Sequence, residues 1–432
     1  MRRKKTLMTT ALAVSALLGI SACGGGDTGG ETDTSVKLEG TGPITLVQGK
    51  DTSGFVQQVL DEWNGDNPDQ KVTLVELPAD ADSQRQQMIQ NAQTESDEFD
   101  VLYVDVVWTA EFAANKYIVE LPEDEFPTDK MFGPPLETGK YFGKLYTVPS
   151  SSDGGMLYYR TDLLEAAGID GPPETWADME EQCKQIQATP EGKGVGCYAG
   201  QFDKYEGLTV NAAEAINGAG GEIVDDEGKP NVDTPEAAAG LDFLASGFET
   251  GVIPKQALTY QEEEGRAAFQ AGKLIFHRQW PYQYSLANAT DGSSKVAGKF
   301  DVAPLPGKDG PGVSSLGGHN MGISAFSKNQ KTAMEFIKFY NSVEQARKQL
   351  KLATLAPIYT ELYEDPALQK EFPFLPVLKE SILSAEPRPR VVAYGDATIA
   401  IQDAAYAALQ GDMSAEEAVA QMQSDLEEVV TK

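Results

Sequence analysis

From Ile44 the chain alternates between two hydrophobic periods. Ile44–Val47 is a short apolar run closed by Gly49, which fits a buried strand. Phe55, Val56, Val59, Leu60 and Trp63 then recur at helical spacing, and Asn67-Pro68 stops that helix. Val72–Leu77 predicts a second strand, Gln84–Gln93 a polar helix, and Phe99–Val104 a third strand. A βαβαβ beginning argues for a parallel sheet with helices on its faces. Beyond it, Leu145–Val148 and Met156–Tyr159 read as strands on either side of a polar Ser150–Gly155 connection. A region rich in Ala and Glu follows, with a helix start at Thr234-Pro235, where a hydroxyl caps and Pro takes the first helical position. Strand signals return at Leu274–Phe276, Phe300–Pro304 and Met321–Ala325, and from Thr332 the pattern is mostly helical. The expected fold class is α/β with two domains.

The first 42 residues stand apart from that rhythm. Arg2–Lys5 are basic and Leu7–Leu18 are apolar, too short for a span of roughly 20 residues but suited to a signal peptide. The stretch ends Ile20-Ser21-Ala22-Cys23, which looks like a bacterial lipobox: small residues for a peptidase, then a thiol to be acylated. Residues 1–22 read as a lipoprotein signal peptide and Cys23 as the lipidation site. Residues 23–42, mostly Gly, Thr, Asp and Glu, read as a flexible tether. Together they imply an extracytoplasmic body anchored to the cell membrane by lipid.

The 432 residues leave ample chain for a large core, and 41% hydrophobic with 23% charged residues is ordinary for a globular protein. The formal charge of −31 is not ordinary. Without the basic leader, 31 basic side chains face 66 acidic ones. Binding a phosphate backbone needs a basic footprint, so nucleic acid is excluded as a partner. Besides Cys23, only Cys183 and Cys197 remain. Outside the cytoplasm that pair predicts a disulfide, with two buried free thiols as the alternative. The two histidines, His277 and His319, lie far apart, and no metal-ligand, nucleophile-elbow or phosphate-loop motif occurs. No metal and no cofactor are expected. Acids are plentiful, so catalysis by a carboxylate pair stays open.

Phe99-Asp100-Val101-Leu102-Tyr103-Val104-Asp105-Val106-Val107-Trp108, a strand ending in Asp-x-x-Trp, resembles the family 1 extracellular solute-binding proteins, in particular their trehalose/maltose-binding branch. Lys144–Pro149, Leu157–Leu164, Pro173–Trp176 and Tyr205-Glu206-Gly207-Leu208 match in order. So do Gln279–Tyr282, Val302–Pro306, Leu316-Gly317-Gly318 and Pro387-Arg388-Pro389. The resemblance implies two α/β lobes joined by hinge crossings, with sugar clamped between them. The N-terminal lobe would comprise 43–151 and 302–352, and the C-terminal lobe 152–301 and 353–432. It implies a monomeric, non-enzymatic component of an ABC importer that delivers trehalose, maltose or a related α-glucoside to membrane permease subunits. The alternatives are a surface glycosidase using two of Asp105, Asp153 and Glu262, or a binder of an oligosaccharide or a non-glucose sugar.

Asp105, at the carboxyl end of a strand, lies where α/β crevices form, and an ionised carboxylate accepts two hydroxyls at once. The plainer role is a cap for the segment after it. Asp153 sits in the Ser/Gly connection matching the first crossing; the alternative is a turn-forming Asp. Glu262 opens a helix where relatives place a sugar-binding acid, although Glu263 and Glu264 leave the register open. Trp280 and Tyr282 offer flat rings to the apolar face of a pyranose. Arg388, mounted between prolines, offers a fork of donors. Gly318 and His319 complete the expected set. Two departures are visible. His319 and Asn320 stand where the thermophilic binders have a stacking Trp, and an early cleft Arg near Leu77 has no equivalent, with the early acid replaced around Asp51-Thr52.

Overall fold

The structure is a computed structural model describing residues 37–51, 54–225 and 227–430. The leader, Cys23 and most of the tether lie outside the described residues. The strands are β1 (Ile44–Gly49), β2 (Val72–Leu77), β3 (Val101–Asp105), β4 (Thr147–Ser151) and β5 (Met156–Tyr159), then β6 (Gly196–Ala199), β7 (Leu274–Gln279), β8 (Asp301–Ala303) and β9 (His319–Ile323). They form two sheets, ordered β2-β1-β3-β9-β4 and β8-β5-β7-β6. A separate two-stranded hairpin pairs Lys140–Tyr141 with Lys144–Leu145.

In the first sheet β1 runs parallel to β2 and β3, as the opening pattern predicts. The longer helices used below are α1 (Phe55–Asp66), α2 (Ala81–Gln93), α3 (Trp176–Gln187), α4 (Glu206–Gly218), α5 (Pro235–Thr250), α6 (Glu262–Gln270), α7 (Gln330–Tyr340), α8 (Val343–Ala353), α9 (Tyr394–Gln410) and α10 (Ala415–Val430). Helix α1 buries Phe55, Val56, Val59, Leu60 and Trp63, the apolar stripe read from spacing. Asp80 caps α2 by accepting from the Ser83 N–H at 2.8 Å. Helices α7 and α8 pack back on α1, so the late chain returns to the first lobe.

Two differences from the sequence pattern have physical causes. The run Leu145–Val148 is split: Leu145 belongs to the hairpin, while β4 continues through Ser150 and Ser151, which are buried because β9 pairs along the strand. Burial by a neighbouring strand leaves no alternation to read. Strand β8, which contains residue 302, pairs antiparallel with β5 in the second sheet. The chain is back in the first sheet with β9, antiparallel to both β3 and β4.

The second lobe stacks α4, α5, α9 and α10 against one another. The Thr234 hydroxyl accepts from Ala237 N–H at 3.2 Å, so α5 starts where its cap and Pro235 predict. Cys183 on α3 and Cys197 on β6 are disulfide-bonded, with a Cα–Cα distance of 5.5 Å. No helix among the described residues is long and apolar enough to cross a membrane.

Candidate functional site

The carboxyl end of β3, the β4–β5 connection and the start of β9 meet at one place. His319 pairs across the sheet with Asp105 on one side and Ser151 on the other. Gly318, just before it, has φ +109°, and a Cβ there would come within 2.3 Å of the Ser151 carbonyl oxygen. Only glycine fits that backbone approach, so packing alone explains Gly318. Asp153 exchanges backbone hydrogen bonds with Gly317 at 3.1 and 2.8 Å. The rim of the Trp280 ring rests on Gly317, where an added Cβ would lie 2.8 Å from it.

Arg388 ties this group to the second lobe. Its side chain is 2% exposed and donates to Asp105 Oδ1 at 2.8 Å and to Glu206. Glu206, at the first position of α4, also accepts from Thr398 Oγ1 at 2.7 Å and from the Tyr394 hydroxyl, both on α9. Burial pulls the Arg388 guanidinium down, but the charges of Asp105 and Glu206 more than offset that, and it stays protonated. Burial raises the Glu206 carboxyl to about 7 even against Arg388.

Asp105 takes the capping role and is also an anion for Arg388. Its Oδ1 accepts both Arg388 and the Val107 N–H (3.1 Å), while Oδ2 has no hydrogen-bond partner among the described residues. The Asp153 carboxylate likewise accepts no hydrogen bond among the described residues. Burial pushes it up to about 7, helped by Asp105 and opposed by Arg278. Burial holds His319 below its usual range, so it is neutral at pH 7, and its ring stacks on Tyr103 at 4.7 Å and 13°.

The acid run on α6 resolves into three different positions. Glu262 accepts from the Tyr205 hydroxyl at 2.7 Å, and burial raises its pKa. Glu263 accepts from the Tyr282 hydroxyl at 2.8 Å and from Arg266. Glu264 is exposed and folds back on Gln261 in a capping box. Trp280 stays partly exposed, and its indole N–H donates to no acceptor among the described residues. The Arg278 guanidinium lies over the ring, 3.8 Å from its centroid. Contacts therefore link the eight residues expected from sequence into one connected group, with Gly318 contributing backbone. Sequence reasoning gave no role to Tyr103, Tyr205, Glu206 or Arg278, and left Glu263 as one of three acids in an open register. Arg278 carried a signal, since residues two apart on a strand share a face and it precedes Trp280 by two.

The lobes also touch beside this cluster. Asp82 on α2 accepts the Glu206 backbone N–H at 3.2 Å, capping a helix of the other lobe. Arg85, bonded to Glu111 at 2.7 Å, lies against Gly395 on α9, where a Cβ would collide with the guanidinium.

Two α/β lobes with converging acids, an arginine and a partly exposed indole define a binding protein of the periplasmic type. The chain belongs to the bacterial extracellular solute-binding proteins: that family's profile matches residues 48–347. It is 34% identical over 349 residues to a probable ABC transporter-binding protein of Deinococcus radiodurans, covering 78% of this chain and 81% of that one. It is 26% identical over 321 residues to the mannitol-binding protein of Pseudomonas aeruginosa, covering 70% of each. Among solved structures, maltose-bound T. maritima MalE3 superposes with a TM-score of 0.83 at 31% identity, covering 89% of this chain and 98% of that one.

Proposed function

We propose that this protein is the cargo-capturing component of an ABC importer and that its cargo is a disaccharide: trehalose, maltose or a related α-glucoside. One observation carries the reading. Trp280, partly exposed and with an indole N–H that donates to no acceptor among the described residues, stands beside Asp153, and neither the Asp153 carboxylate nor Asp105 Oδ2 accepts a hydrogen bond among the described residues. A pyranose offers an apolar face to the ring and hydroxyl donors to the acids, so it satisfies both at once. The kinship with the Deinococcus protein supports the ABC assignment, and the maltose-bound relative supports a glucose disaccharide. In this reading Asp105, Asp153, Glu262, Trp280, Tyr282, His319 and Arg388 line the cleft. The protein works as a monomer that hands sugar to membrane permease subunits, held outside the cell by lipid on Cys23.

The test is a thermal-shift panel of maltose, trehalose, mannitol, monosaccharides and arabino-oligosaccharides. A ligand at a hundred times its dissociation constant stabilises by about 2.7 kcal/mol, so a true cargo stands out. A shift with mannitol or an oligosaccharide and none with any disaccharide would replace the cargo named here. Glucose release during incubation with maltose or trehalose would replace the transport reading with a glycosidase.

A further inference from the structure

The least expected group near the site is a buried cation, Arg278 on β7. Its side chain is fully buried. Nε donates to Glu214 Oε2 at 2.7 Å, Nη2 to Glu214 Oε1, and Nη1 to Gln201 Oε1 at 3.1 Å. Glu214 is itself held by the Ser315 N–H at 3.1 Å and the Ser314 hydroxyl at 3.4 Å, two residues before Leu316-Gly317. Gly155 leaves the space: a Cβ there would lie 2.7 Å from the guanidinium. The guanidinium, with each of its three nitrogens held by that frame, lies over one face of Trp280.

Stability alone does not account for such a pair, because a buried ion pair loses hydration and apolar residues of equal volume are often no less stable. Its geometry matters more. A guanidinium is flat and stacks on an aromatic plane, which a lysine ammonium does not do. Gly317 bounds the rim of the ring, the Tyr158 hydroxyl holds the Trp280 carbonyl at 3.0 Å, and Arg278 closes one face.

We propose that Arg278, braced by Glu214, is a positioning residue that sets the plane of the Trp280 platform and leaves one face for the sugar ring. The inference rests on the reading of Trp280 as a sugar contact. Arg278 touches the ring and not the sugar, so its effect on binding must pass through Trp280.

The experiment is a double-mutant cycle. Maltose and trehalose are titrated calorimetrically into wild type, Arg278→Lys and the apolar pair Arg278→Met/Glu214→Met, each with Trp280 present and with Trp280→Ala. The apolar pair leaves no unpaired buried carboxylate, so it carries the test should Arg278→Lys not fold. Without sugar, the near-ultraviolet circular dichroism of Trp280 is isolated as the difference from the Trp280→Ala partner. We expect that difference band to change in both variants. Affinity should fall about tenfold with Trp280 present and less than about twofold without it. Equal losses in both backgrounds, or an unchanged Trp280 band, would overturn the proposal. If wild type binds neither sugar, the cargo named above fails, and the Trp280 band still decides the role of Arg278.

Discussion

Acidification should weaken sugar binding through Asp153. Its carboxyl is raised to about 7, chiefly by burial, and accepts no hydrogen bond among the described residues. Sugar hydroxyls donate to it best when it is ionised, so at low pH binding must first expel a proton. The sign follows: the competent, ionised fraction grows as pH rises through about 7. With that midpoint, about 90% is competent at pH 8 and about 3% at pH 5.5, and apparent affinity scales with the competent fraction, a change of about 30-fold. Isothermal titration at the two pH values, in buffers of different ionisation enthalpy, reads both the affinity and the proton released. Asp153→Asn should bind more weakly at pH 8 but with a nearly flat pH profile. Glu206 titrates in the same range, so Glu206→Gln is the control and should keep the slope. Wild-type affinity that changes less than about threefold, or a slope that survives Asp153→Asn, refutes the reasoning.

Trp280→Ala should weaken binding by about 30-fold or more, as loss of a central aromatic anchor does; a folded variant with native affinity would move the cleft elsewhere. Arg388→Met leaves Asp105 and Glu206 without their shared cation and should cost about 3–5 kcal/mol at pH 8 by urea unfolding. Because the folded Glu206 carboxyl sits above its ordinary range, the native state holds an extra proton between about 4.5 and 7 and loses stability as pH rises through that window. Adding Glu206→Gln to Arg388→Met should therefore restore part of the loss at pH 8, and no recovery would contradict the bridge. Cys183→Ser should lower stability by about 3 kcal/mol, and reduction of the wild type should reproduce the shift; an unchanged urea midpoint on reduction would show that the bond contributes nothing.

What the sequence revealed and what it hid follow from how far each interaction reaches. The βαβαβ opening was legible because burial there alternates along single elements, as in the stripe of α1. The far end of β4 was not, since Ser150 and Ser151 are buried by β9, which arrives more than 160 residues later. Asp105 and Trp280 stand out as candidates by their place at strand ends and by family likeness. Glu206 lies within a family-like motif that says nothing of its role, because its partners Arg388, Tyr394 and Thr398 come from the far end of the chain. The acid run 262–264 shows the limit most clearly. Three identical side chains in a row differ only in what they face, and Tyr205, Tyr282 and Gln261 separate them.

The contacts between Asp82 and Glu206, and between Arg388 and Asp105, bear on how the lobes part. Separating these groups would rehydrate charge: a helix terminus would lose its borrowed cap, and two carboxylates and a guanidinium would regain water. The gap widens between groups of opposite sign, and mobile ions screen that attraction within a Debye length of about 8 Å at physiological ionic strength. Saltier surroundings thus weaken the attraction across these two contacts and fresher ones strengthen it, so ordinary electrolyte acts directly on the join between the lobes.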